Sequence, residues 1–196
     1  GVLFVARGGA VLGMITVADP VKPTSAAAIA GLAGQGIASV MITGDALATA
    51  QAVAGPLGIT DLRAGVLPEG KAGVITELGA GTVFVGDGIN DAPALAQADV
   101  GLAIGSGTDV AIESAGLLLV SSDPSGVADA ISLSRRTYAK MVQNLIWGAG
   151  YNIAAIPLAA GAFAGLGFVL SPALGAVLMS LSTVIVAVNA QLLRRR

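Results

Sequence analysis

The 196-residue sequence contains no cysteine and no histidine. The first absence excludes disulfides and thiolate metal sites, and the second excludes imidazole as a ligand or general base. Any catalysis must draw on carboxylates, lysine, hydroxyls, amides and a hard metal ion. Charge is scarce as well, at 11% of residues, while 55% of the chain is hydrophobic and its mean hydropathy is +0.84. That balance is too apolar for a purely soluble protein and places part of the chain in lipid. No nucleic-acid partner is expected.

The scarcity of charge is not uniform. All twelve acids lie between Asp19 and Asp129, and residues 141 to 193 contain no Asp, Glu, Lys or Arg. A helix needs about 20 apolar residues to cross a bilayer, so this stretch predicts two crossings joined by a turn at Gly165 to Ser171, with Pro172 near the next helix start. Arg135, Arg136 and Lys140 precede the pair, and Arg194, Arg195 and Arg196 follow it. Both ends of the hairpin are therefore expected on the cytoplasmic side of a plasma (inner) membrane. Gly1 opens in mid-pattern, with no basic n-region or cleavage site, as if the chain were cut from a longer one.

The first 130 residues alternate. Val2 to Val5 and Ala10 to Val17 flank Gly8 and Gly9, a hairpin signal. Helix-like Thr24 to Leu32 leads to strand-like Ile37 to Ile42, helix Ala46 to Ala54, a strand around Leu62 and helix Gly70 to Leu78. Then come strand Thr82 to Val85, helix Ala92 to Ala96, strand Val100 to Ile104, helix Asp109 to Ser114, strand Leu117 to Val120 and a helix from Gly126. This rhythm predicts an α/β fold, a Rossmann-like parallel sheet with helices on both faces, whose ligands bind at the C-terminal strand ends.

Polar groups gather at those ends. Thr43, Gly44 and Asp45 follow Ile42, and Gly86, Asp87 and Gly88 follow Val85 in VFVGDGINDAPAL, while Lys71 opens a helix in PEGK. A hydroxyl and a glycine-exposed amide can bind phosphoryl oxygens, lysine can neutralise them, and aspartates can hold Mg²⁺. Each also has a local reading: Thr43, Asp45, Asp87 and Asn90 as caps or turn residues, Lys71 as a solvated charge, Asp19 as a turn residue before Pro20. Recurrence at the strand ends of one sheet is what the local readings leave unexplained.

Together, DPVK (Asp19 to Lys22), TGD (Thr43 to Asp45), LPEGK (Leu67 to Lys71) and GDGINDAPAL (Gly86 to Leu95) resemble the hinge and phosphorylation-domain motifs of P-type ATPases, whose catalytic domain has the haloacid dehalogenase fold. The resemblance implies ATP and Mg²⁺ as cofactors, with Thr43, Gly44, Asp45, Lys71 and Asp19 in the catalytic set. It further implies that Thr43, Gly44, Lys71 and Asn90 hold the phosphoryl group or nucleotide, and that Asp87 and Asp91 bind Mg²⁺. One departure stands out: the phosphorylated Asp of a DKTGT segment occurs nowhere in these residues. The resemblance thus divides the chain into a nucleotide-domain remnant (1–17), the C-terminal part of the phosphorylation domain (18–130), a basic linker helix (131–140) and two membrane helices (141–196). The N-terminal part of the same pump would be its partner, and the chain taken alone is expected to be inactive.

In the apolar part, Asn144 with GYN (Gly150 to Asn152) and Pro157, then MSLST (Met179 to Thr183) and VAVNA (Val186 to Ala190), resemble the last two helices of heavy-metal (type IB) P-type ATPases, in particular the copper-exporting branch. The implied ligands of a transported soft ion, copper or silver, are Asn144, Tyr151, Asn152, Met179, Ser182 and Thr183. Interhelical packing is the other reading of these residues. Two other functions fit less of the sequence: a membrane-anchored dehalogenase-fold phosphatase, and a non-catalytic membrane module binding Mg²⁺ or a partner pump.

Overall fold

In the computed structural model, residues 2–16, 20–87, 89–105, 113–167 and 171–194 are described. The chain divides into two compact units, Gly1–Ala128 and Asp129–Arg196.

The first unit begins with antiparallel strands β1 (Val2–Arg7) and β2 (Ala10–Thr16). Gly8 and Gly9 join them at φ 58° and 82°, as a two-residue turn matched to strand twist requires. Apolar side chains on both of its faces are open to solvent: Leu3 is 61% exposed and Phe4 71%. Next come α1 (Ser25–Gly34), β3 (Val40–Ile42), α2 (Leu47–Leu57), β4 (Asp61–Arg63), α3 (Pro68–Leu78), β5 (Val83–Gly86), α4 (Ala92–Gln97), β6 (Val100–Ile104) and β7 (Leu117–Leu119). The alternation read from the sequence is present, with Pro68 at the start of α3, where its missing N–H costs nothing, and Gly58 closing α2 at φ 73°. The expected strand from Ile37 pairs only from Val40, because the Ile37 N–H is spent on the Leu32 carbonyl at the end of α1. Most of the expected helix Asp109 to Ser114 lies outside the described residues, as does Asp19.

All pairing after the hairpin is parallel, as expected, but it forms two ladders. β3 pairs with β4, and β5, β6 and β7 form the other. Among the described residues, one edge each of β3 and β5 carries no strand partner. Ile42, at the end of β3, nevertheless packs against the cluster of Ile75, Phe84, Ala94 and Leu95, so side chains join what the backbones do not. Helix α4 lies directly on β6: a Cβ at Gly101 would come within 2.3 Å of the Leu95 carbonyl oxygen. A larger residue there would lift the helix that follows the candidate site.

The second unit is helical. Helix α5 (Ser125–Ala159) runs unbroken through the expected basic linker and first crossing, and α6 (Pro172–Gln191) follows the turn, its first turn capped by the Ser171 hydroxyl, which accepts from the Leu174 N–H at 3.2 Å. Of the two crossings expected, the described residues contain one helix both long and apolar enough, Ala173–Gln191, with a mean hydropathy of 2.0. Gln143, Asn144 and Asn152 interrupt the apolar run of α5, so two crossings are not established.

Candidate phosphoryl and cation site

The loop after β3 is held at several points. The Thr43 N–H donates to the Arg63 carbonyl (2.9 Å), and the Thr43 carbonyl accepts from the Val66 N–H (3.0 Å). The Thr43 hydroxyl donates to Asp45 Oδ2 (3.0 Å) while the Asp45 N–H donates back to it (3.1 Å), and the Asp45 carbonyl accepts from the Gly65 N–H (2.9 Å). This ties TGD to the loop after β4 and fixes the hydroxyl while Thr43 and Asp45 stay accessible at the strand end. A Cβ at Gly44 would meet only the Val66 carbonyl oxygen, at an ordinary 3.5 Å, so packing alone does not demand glycine there.

The loop after β5 is built differently. Asp87 is exposed at the strand end, and Asn90 is exposed in the short 3₁₀ turn Ile89–Asp91. Asp91, 8% exposed, is the one buried charged residue among those described, and its Oδ1 accepts from Lys71 Nζ at 2.7 Å. The two side chains are 17% and 12% exposed, shielded enough that each charge depends on the other. Gly86 makes room for the pair: a Cβ there would lie 2.8 Å from both Cβ and Oδ2 of Asp91. The sequence signals Lys71 and Asp91 as site residues but not their pairing, which spans 20 positions. Nor does it signal the steric duty of Gly86, hidden among 28 glycines.

No group of three or more acidic residues able to hold a metal occurs among the described residues. Mg²⁺ binds through one or two carboxylates together with waters and substrate phosphates, so an exposed carboxylate such as Asp87 is a donor of the type it uses. The Asp87 carboxylate is exposed, whereas Asp91 has one oxygen committed to Lys71.

In the second unit the proposed ion ligands separate. Asn144, Tyr151 and Ser182 are half-buried, whereas Asn152, Met179 (63% exposed) and Thr183 are exposed. The Thr183 hydroxyl donates to the Met179 carbonyl at 3.1 Å, within its own helix. Asn144 Oδ1 accepts from Asn189 Nδ2 at 2.8 Å. Tyr151 also lines a groove of about 480 Å³ with Gln143, Ile146, Trp147 and Gly150.

Residues 2–99 match the profile of the haloacid dehalogenase-like hydrolases, and residues 79–131 match a second profile of the same description. The chain belongs to the haloacid dehalogenase-like hydrolase family. More particularly, it is similar over nearly its whole length to P-type ATPases. It is 55% identical over 195 residues to "Copper-exporting P-type ATPase B" of Archaeoglobus fulgidus, covering 98% of this chain and 28% of that protein. It is 53% identical over 183 residues to "Probable copper-transporting P-type ATPase B" of Staphylococcus aureus, covering 92% and 27%. The crystal structure of a zinc-transporting PIB-type ATPase in the E2.Pi state superposes with a TM-score of 0.84 at 38% identity, over 99% of this chain and 31% of that one. The chain thus spans little more than a quarter of the curated relatives it matches.

Proposed function

We propose that this chain is part of an ATP-driven heavy-metal exporter of the P-type class, with copper as the transported ion. The observation that carries the reading is 55% identity to a copper exporter over 98% of the chain, against 38% to the zinc transporter. The geometry supports it. Thr43 and Asp87 stand at the ends of β3 and β5, and each of those strands has an unpaired edge where a further strand, bearing the phosphorylated aspartate, can add. That nucleophile comes from a part of the pump outside residues 1–196, and so does the ATP-binding surface.

In this reading the Thr43 hydroxyl turns its one proton from Asp45 Oδ2 to a phosphoryl oxygen while the Asp45 N–H keeps the hydroxyl oxygen in place, and the Gly44 N–H binds a second phosphoryl oxygen. Lys71, fixed by Asp91, places its ammonium beside the transferred group, and Asp87 with Asn90 offers hard oxygens to Mg²⁺. Mg²⁺, when bound, supplies charge neutralisation for phosphoryl transfer. Asp19 keeps its expected place in the catalytic hinge on sequence grounds alone. α5 and α6 cross the bilayer as a hairpin with both ends cytoplasmic, in contact with lipid and with the other membrane helices of the pump. The exposed Asn152, Met179 and Thr183 face those helices, and Met179 offers a soft sulfur suited to Cu(I) or Ag(I). Tyr151 and Ser182 contribute from between α5 and α6.

The test is metal-stimulated ATP hydrolysis by the longer protein that carries this chain. Asp87→Asn is expected to lower turnover by about a hundredfold or more, since a neutral amide is a poor Mg²⁺ ligand. Parental turnover in that variant at ordinary Mg²⁺ would remove Asp87 from the site, and stronger activation by Zn(II) than by Cu(I) would overturn the choice of copper.

A further inference from the structure

In the second unit, a polar relay joins α5 to α6. Lys140 Nζ donates to Asn189 Oδ1 at 2.8 Å and to Gln143 Oε1 at 3.2 Å, and Asn189 Nδ2 donates to Asn144 Oδ1 at 2.8 Å. Both hydrogen-bonding ends of the Asn189 carboxamide are therefore used, one by a cation and one by an amide across the helix pair. Asn189 lies in the last turn of α6, whose carbonyls carry the negative end of the helix dipole. The Lys140 ammonium is thus doubly favoured there.

The half-buried positions of each helix fall on the face that carries this contact. In α5, Asn144, Gly148, Tyr151, Ala155 and Leu158 are half-buried, spaced alternately four and three residues apart. In α6 the half-buried positions are Gly175, Leu178, Ser182, Val186 and Asn189. Asn144 in α5 meets Asn189 in the last turn of α6, so for antiparallel helices two turns beyond Asn144 is Tyr151, and two turns back from Asn189 is Ser182. Counted the same way, Ala155 falls at the level of Leu178 and Leu158 at the level of Gly175. Apart from the amides at the end and the Tyr151 and Ser182 hydroxyls, these positions are apolar or glycine, and such surfaces slide past each other at little cost.

We propose that Asn189, held by Lys140, sets the register of α5 against α6 and so places Tyr151 opposite Ser182. Asn189 is a positioning residue, and Asn144 is its partner rather than an ion ligand. The importance of that placement for transport rests on the function proposed above; the register itself does not.

Because the chain has no cysteine, introduced pairs report register without background. The intact chain in lipid nanodiscs, carrying Ala155→Cys with Leu178→Cys, is treated with a short thiol-to-thiol crosslinker in the absence of any metal, and Ala155→Cys with Leu181→Cys serves as the pair displaced by a turn. We expect the first pair to react at least fivefold faster. Asn189→Leu, close in volume but unable to bond, should erase that preference, and Asn189→Asp, which still accepts from Lys140 and from a rotated Asn144 amide, should keep it. Lys140→Met, outside the apolar span, should reduce it in part. An unchanged preference in Asn189→Leu, or equal loss in Asn189→Leu and Asn189→Asp, would overturn the proposal. The crosslinking is read without metal, so it stands apart from whether the chain handles copper.

Discussion

The two units treat charge in opposite ways. Eleven of the twelve acids and four of the ten bases lie in Gly1–Ala128, whereas the six remaining bases of Asp129–Arg196 share that unit with a single acid, Asp129. The first unit buries a carboxylate at its candidate site and matches it with an ammonium, Lys71 to Asp91. The second builds its central contact from neutral carboxamides, with the single ammonium of Lys140 at the end. In the bilayer setting proposed above, a free carboxylate would be costly, and amides would bond where ions cannot. Burial differs in the same way. Every described side chain in the buried core lies at or before Val127, whereas the large apolar side chains described in the second unit are exposed or half-buried.

The largest expected effect tests the charged pair. Lys71→Met should destabilise the first unit by about 3–5 kcal/mol, because it leaves Asp91 buried without a partner. Denaturant unfolding followed by hydrogen exchange resolved along the chain should show the loss in α3 and α4 while α6 is unchanged. Equal loss in both units would mean that they do not unfold separately. Gly101→Ala should cost about 1–3 kcal/mol through the clash with the Leu95 carbonyl, again confined to the first unit. Met179→Leu is the counterpart in the second unit. It should change thermal stability by about 1 kcal/mol or less, since Met179 is exposed and the swap conserves volume, yet weaken Cu(I) activation of the longer protein. Unchanged activation would return Met179 to packing.

The smallest effect concerns pH. The Asp123 carboxyl is held below its ordinary value of 3.8, first by the Ser125 backbone N–H, then by the Thr24 and Ser125 side chains, with Lys22 nearby. A depressed carboxylate stabilises the fold above its unfolded value, and that contribution is lost as pH falls through the folded value. Asp123→Asn should therefore lower the melting temperature of the first unit slightly at neutral pH and hardly at all once the pH has fallen through the folded value. A difference that grew on acidification would contradict this capping role.

What could be read in the sequence was whatever depends on neighbours along the chain. Strand Val100 to Ile104 is where its apolar run puts it, the hairpin turn is where two glycines allow positive φ, and the charge gap from residue 141 contains the long apolar helix Ala173–Gln191. The site residues at strand ends were legible for the same reason, since Thr43 and Asp87 directly follow short apolar runs. Contacts between distant residues were not. Nothing local in PEGK says that Lys71 will meet Asp91, or in VAVNA that Asn189 will bond both Lys140 and Asn144. Periodicity placed Met179, Ser182 and Thr183 on one face, but helical spacing cannot say which edge of that face is covered, and of the three only Ser182 is half-buried.

The split between the two parallel ladders also bears on how the first unit assembles. β3 and β4 are joined through α2, and β5 and β6 through α4, so each ladder can form from contacts close in sequence and form fast. Until a further strand adds between them, the edges of β3 and β5 that carry no strand partner among the described residues are the usual template for pairing with another molecule. The time between local folding and closure of those edges is when a growing chain of this kind is most exposed to aggregation. It would be shortened by whatever fills the gap first.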